Sequence, residues 1–146
     1  MNIPLLISWI TSTVAMLGSL YFSEVMKFIP CNLCWYQRIL MYPLVIVLGI
    51  AAYRNDTHIY RYTLPLSIIG MLTSLYHYGV QKVPFLKESP MCGDGVPCSG
   101  EYINWLGFIT IPFLALVAFV IISICMFIAR KQAVHEEKGS FYNSEQ

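Results

Sequence analysis

The sequence predicts an all-α protein, a four-helix transmembrane bundle with both of its cysteine pairs on the extracytoplasmic face. Composition is the first observation behind this. Of 146 residues, 57% are hydrophobic and only 12% charged. Soluble domains carry about 25% charged residues, and a chain this short cannot hide so much apolar sequence in one soluble core. The second is that four apolar segments, 5–22, 34–53, 62–80 and 102–129, reach the length of a membrane span, which takes about 20 residues. The third is periodicity: none of these runs alternates with the period of two that a membrane barrel needs, so lipid leaves helices as the solution.

Segment 5–22 holds no charged residue. Its position allows a signal peptide, but residues 2–8 contain no Lys or Arg, the run exceeds an h-region, and no A-x-A site follows. It is expected to stay as the first span. Segment 34–53 carries one charge, Arg38. Segment 62–80 carries no acid, Lys or Arg but includes His77. Segment 102–129 is uncharged and long enough to tilt. The polar remainder, 130–146, is expected to be a disordered cytoplasmic tail. The net charge of +1 points to no nucleic acid and to no strongly charged substrate.

Four spans fix which loops share a side. The N-terminus, loop 54–61 and the tail lie together, with Arg54, Arg61, Arg130, Lys131 and Lys138. Loops 23–33 and 81–101 lie opposite, with Lys27, Lys82 and Lys87. Five cations against three favour the first side as cytoplasmic. Cys31 and Cys34 then open the second span, and Cys92 and Cys98 precede the fourth, all facing one compartment. Disulfides persist outside the cytoplasm, which agrees with the charge bias.

Pro30-Cys31-Asn32-Leu33-Cys34 places a C-x-x-C at a helix start. Free N–H groups and the positive end of the helix stabilise a thiolate there. Arg38, four residues on, projects from the same face about 6 Å deeper. As a staple, a C-x-x-C closes too small a loop to stabilise much. A zinc site would require all four thiols to meet in an oxidising compartment, so no metal is expected. In Cys92-Gly93-Asp94-Gly95-Val96-Pro97-Cys98, the intervening residues suffice to close a disulfide around a Gly-Asp-Gly turn. An exposed or strained disulfide is easily attacked, so two pairs on one face suggest a relay; a stabilising staple is the competing reading of this loop. Cys125, deep in the fourth span, is expected to be an inert packing residue. Arg38 and His77 are ionisable groups inside spans, which makes them candidate functional residues, against snorkelling for Arg38 and a satisfied interfacial histidine for His77.

At Pro30-Cys31-x-Leu33-Cys34-x-Tyr36-x-Arg38, with four spans and a second cysteine pair before the last, the sequence resembles the DsbB family of disulfide-bond formation proteins, in its short Gram-positive, BdbC-like form. The resemblance covers the chain except its polar tail. It implies a secreted or membrane-anchored thioredoxin-fold partner, DsbA- or BdbD-like, whose reduced form attacks the Cys92–Cys98 disulfide at Cys92 or Cys98, with Cys92 preferred. Released Cys98 then engages Cys31, and freed Cys34 faces a membrane quinone, menaquinone or ubiquinone, as electron acceptor. Arg38 holds the quinone head group, and His77 is similar to a family histidine near that site. The termini would be cytoplasmic on a multi-pass cell-membrane protein. Two departures stand out. Gln37 occupies a position where better-known members carry glutamate, which removes a charge partner for Arg38. The second cysteine pair is also too close together for the intervening amphipathic helix of the Gram-negative form. A quinone reductase similar to vitamin-K-epoxide reductases is the alternative enzyme, but there the C-x-x-C lies late in the chain. A scaffold with stapled loops is the non-enzymatic alternative.

Overall fold

The computed structural model describes residues 2–27, 32–83, 85 and 111–144. Among them are the helices α1 (Ile3–Glu24), α2 (Asn32–Arg54), α3 (Tyr60–Lys82) and α4 (Ile111–Ser144), a 3-10 turn at Thr57–Ile59, and no strand. By length and composition α1, α2 and α4 are apolar enough to cross a membrane. The third helix falls short of that standard because its sequence is rich in hydroxyls and carries His77 and Gln81.

Local chemistry explains the junctions. Asn55 takes a left-handed φ of 54° at the end of α2, a conformation Asn tolerates better than most residues. The Asp56 N–H then closes on the Ala51 carbonyl at 3.0 Å, a Schellman-type stop. The Asp56 carboxylate accepts from the His58 N–H at 3.0 Å and starts the 3-10 turn that leads into α3. At the start of α1, the Asn2 N–H donates to Asn55 Oδ1 at 3.1 Å. The beginning of α1 and the α2–α3 junction therefore sit at one end of the bundle, as the parity of the spans requires.

The core is built by Leu5 of α1, Met41, Leu44 and Leu48 of α2, and Phe119, Ile122 and Met126 of α4, all buried. The third helix packs chiefly on α4. Its buried face is Thr63, Ser67, Gly70, Ser74 and His77, while Ile69, Leu72 and Leu75 are exposed. Small residues let the two helices approach closely. Ser123 Oγ donates to Ser67 Oγ at 3.0 Å, and Thr63 Oγ1 lies 3.0 Å from Met126 Sδ. In α1, buried Ser8 donates back to the Pro4 carbonyl at 2.8 Å, so its hydroxyl is satisfied within the helix.

The tail departs from expectation. Instead of disorder after residue 129, α4 continues as helix to Ser144. Ala, Lys, Gln, Glu and Arg, all strong helix formers, supply eight of the ten residues of 129–138, and a helix already nucleated in a packed span extends at little cost. Ala133 is buried. Arg61 is held above its ordinary range by a hydrogen bond to the Tyr60 side chain and, further down, by the charge of Glu137. That extension thus lies beside the start of α3. Of the fourth predicted span, residues 102–110 fall outside the described residues.

Candidate functional site

Cys34 is the third residue of α2, in the first turn, where unpaired N–H groups and the helix dipole favour a thiolate. It is half-buried. One turn on, Arg38 shares its face, and both line a groove of about 490 Å³. Helix α1 forms one wall from Ile10 to Ser23, α4 the other from Ile111 to Ile121, and α2 the floor from Cys34 to Tyr42. The lining is largely apolar, with Val14, Phe22, Met41 and Leu114 among its members. Gly18 leaves room: a Cβ built there meets nothing within 4 Å.

Arg38 is the cation of this groove, and its partners come from α1. Nε donates to Ser19 Oγ at 2.9 Å, and Nη2 donates to the Ser19 carbonyl at 3.0 Å and to Ser23 Oγ. The guanidinium also lies 5.6 Å from the centre of the Trp35 ring, within cation–π range. No carboxylate among the described residues pairs with it. The charge is retained and its Nη1 makes no hydrogen bond among the described residues.

His77 is placed otherwise than Arg38. It is 1% exposed and is not a lining residue of the groove. Its Nδ1 lies 3.2 Å from Nε2 of Gln37, itself 6% exposed. Gln37 does line the groove, so His77 stands one hydrogen bond behind the wall. Gln37 is thus turned to His77 of α3 rather than to Arg38.

The structure brings Cys34 and Arg38 together and sets His77 behind them. Cys31, Cys92 and Cys98 lie outside the described residues. Cys125 is buried in the core, as expected of a packing thiol. The site residues that sequence reasoning missed are Ser19 and Ser23, together with the contact between Gln37 and His77. The serines are spaced i, i+4 on one face of α1, at and just past the end of the first predicted span, a visible signal. No signal in one sequence links Gln37 to His77, 40 residues away.

A family model described as "Disulfide bond formation protein DsbB" matches residues 2–129. The chain belongs to the DsbB family. Relatives agree. It is 63% identical over 119 residues to Disulfide bond formation protein C of Bacillus subtilis (strain 168), covering 82% of this chain and 86% of that protein. It is 61% identical over 119 residues to a probable disulfide formation protein C of Halalkalibacterium halodurans, covering 81% and 86%. It is 49% identical over 130 residues to a probable disulfide formation protein of Oceanobacillus iheyensis, covering 88% and 90%. No solved structure matches. As a DsbB-family member with apolar helices of spanning length, the chain is a membrane protein that acts in disulfide formation, a disulfide oxidoreductase.

Proposed function

We propose that this DsbB-family protein reoxidises an extracytoplasmic thioredoxin-fold dithiol oxidase, DsbA- or BdbD-like, and passes the electrons to a membrane quinone at the Cys34–Arg38 groove. The observation that carries the reading is the juxtaposition of a cysteine at a helix start with an arginine at the polar mouth of an otherwise apolar groove. A quinone has that polarity, with carbonyls on a ring and an apolar tail. Arg38 presents charge-assisted donors to a carbonyl oxygen, and the groove takes the tail. Menaquinone and ubiquinone share these features.

The third helix is read as a span alongside α1, α2 and α4 because its polar face is buried and its apolar face is turned outward, the arrangement a lipid solvent demands. The end that carries Cys34 faces the extracytoplasmic side, and the tail is cytoplasmic, in agreement with the bias of basic residues. Cys92 and Cys98 form the pair that meets the partner, and Cys31 and Cys34 the pair that meets the acceptor.

The chemistry balances without further reagents. Two partner thiols become a disulfide, and their two electrons and two protons leave by way of the protein's cysteine pairs. The quinone, when bound, accepts both electrons and both protons and leaves as quinol. Cys34, once released from its disulfide, is favoured as a thiolate by the helix start and returns to the disulfide with Cys31 as its electrons leave, and Arg38 would stabilise the electron density that develops on the head group. His77 and Gln37 back the groove wall.

Stoichiometry tests this. Solubilised protein in catalytic amount is mixed anaerobically with reduced thioredoxin-fold oxidase and a short-chain quinone analogue. One quinol per partner disulfide is expected. Cysteine pairs that resist the reduced partner, with no quinol formed, would mark the protein as a stapled scaffold.

A further inference from the structure

We propose that Ser19 and Ser23 of α1 are positioning residues for the quinone reaction, holding the Arg38 guanidinium in one orientation with Nη1 left for the acceptor. The inference rests on the reading of the groove as a quinone site and adds to it how the cation is aimed. A guanidinium has five N–H donors in a rigid plane. Here the Nε edge and Nη2 are both committed to α1, through the Ser19 hydroxyl, the Ser19 carbonyl and the Ser23 hydroxyl. Trp35 covers the guanidinium at 5.6 Å. Nη1 is left with two N–H groups and makes no hydrogen bond among the described residues, on a side chain that lines the groove.

The identity of the partners matters. A carboxylate in their place would neutralise the charge and compete with the acceptor for it. Hydroxyls and a carbonyl accept hydrogen bonds while leaving the cation whole. Arginine has several rotatable bonds and high rotamer entropy, so an untethered side chain would sample many positions around the groove mouth. Residues four apart on α1, at 19 and 23, span one helical turn and meet the fork from one side. The tether also ties α1 to α2 at the end where Cys34 lies, so the head group, the thiol and the cation are registered on one another.

The test uses the full chain in detergent, reduced thioredoxin-fold oxidase, and short-chain menaquinone and ubiquinone analogues, with quinone and partner varied separately. Ser19→Ala/Ser23→Ala removes both hydroxyls and keeps the Ser19 backbone carbonyl. Apparent KM for quinone should rise on the order of tenfold, since two charge-assisted hydrogen bonds are lost, while KM for the partner stays unchanged. KM does not depend on the fraction of protein folded, so a loss of yield does not imitate this result. Ser19→Thr/Ser23→Thr, which restores the hydroxyls, should bring KM back toward wild type. In an Arg38→Met background the alanine changes should add nothing further, because the group they position is gone. If Arg38→Met raises quinone KM but the serine variants do not, the tether has no positioning role and this proposal fails alone. If Arg38→Met itself leaves quinone KM untouched, the quinone site is wrongly placed and both readings fall.

Discussion

Arg38 is a full positive charge placed where an apolar surrounding ordinarily penalises one by several kcal/mol. Its hydrogen bonds to α1 offset that penalty without cancelling the charge. Replacing it with Met keeps the length and removes the cation. Turnover should fall, with the loss carried by quinone KM and by rate and not by the partner's KM, in steady-state assays of each substrate. Arg38→Lys should rescue only in part, since an ammonium cannot fill the fork. Gln37 has a different duty. Gln37→Leu removes the amide from His77 Nδ1 in a buried setting, and the folded protein should lose about 1–3 kcal/mol, read as a lower thermal midpoint in detergent. At this scale the sequence was legible where chemistry repeats at helical spacing. Cys34 and Arg38 are one turn apart, and their shared face followed from that alone. The His77 contact depends on how α2 and α3 pack, and no local pattern encodes it.

Two glycines divide the helices into a packed side and an open one. A Cβ on Gly70 of α3 would overlap the ring of Phe119, which has no exposure. Gly70→Ala must therefore push α3 off α4, at about 1–3 kcal/mol for overpacking, visible as a lowered unfolding midpoint. A midpoint equal to wild type would mean that α3 and α4 are not this closely packed. Gly18 of α1 is the converse, facing open space beside the groove. Gly18→Leu should leave the unfolding midpoint near wild type and raise quinone KM, because the added side chain fills the groove. The helices themselves were readable from apolar run length, and α1, α2 and α3 begin and end within a few residues of the predicted spans. The tail differs from the disorder its polarity predicts because polarity alone does not disfavour helix. Its residues favour helix, and nucleation had already been met by the span before it.

Among the described residues the outer surface is largely apolar, and hydroxyls and His77 are buried beside an apolar core. Ser8, Ser12, Thr63, Ser67, His77 and Ser123 are buried, while Ile3, Ile10, Leu17, Ile46, Leu72 and Ile124 are exposed. A soluble protein of this size would reverse that distribution, so the outer surface is matched to lipid. Asn2 meets Asn55 at one end of α1, and Ser23 meets Arg38 toward the other. What the sequence could not supply was the groove, which exists only where residues of α1, α2 and α4 are brought together. The central claim is that electrons cross from a protein dithiol to a quinone through Cys34. Its most direct measurement follows quinone absorbance and partner trapping together in a solubilised Cys34→Ser variant supplied with reduced thioredoxin-fold oxidase. Quinone reduction should vanish, while the Cys92–Cys98 pair still captures the partner as a mixed disulfide. Quinone reduction at the wild-type rate in that variant would contradict the account.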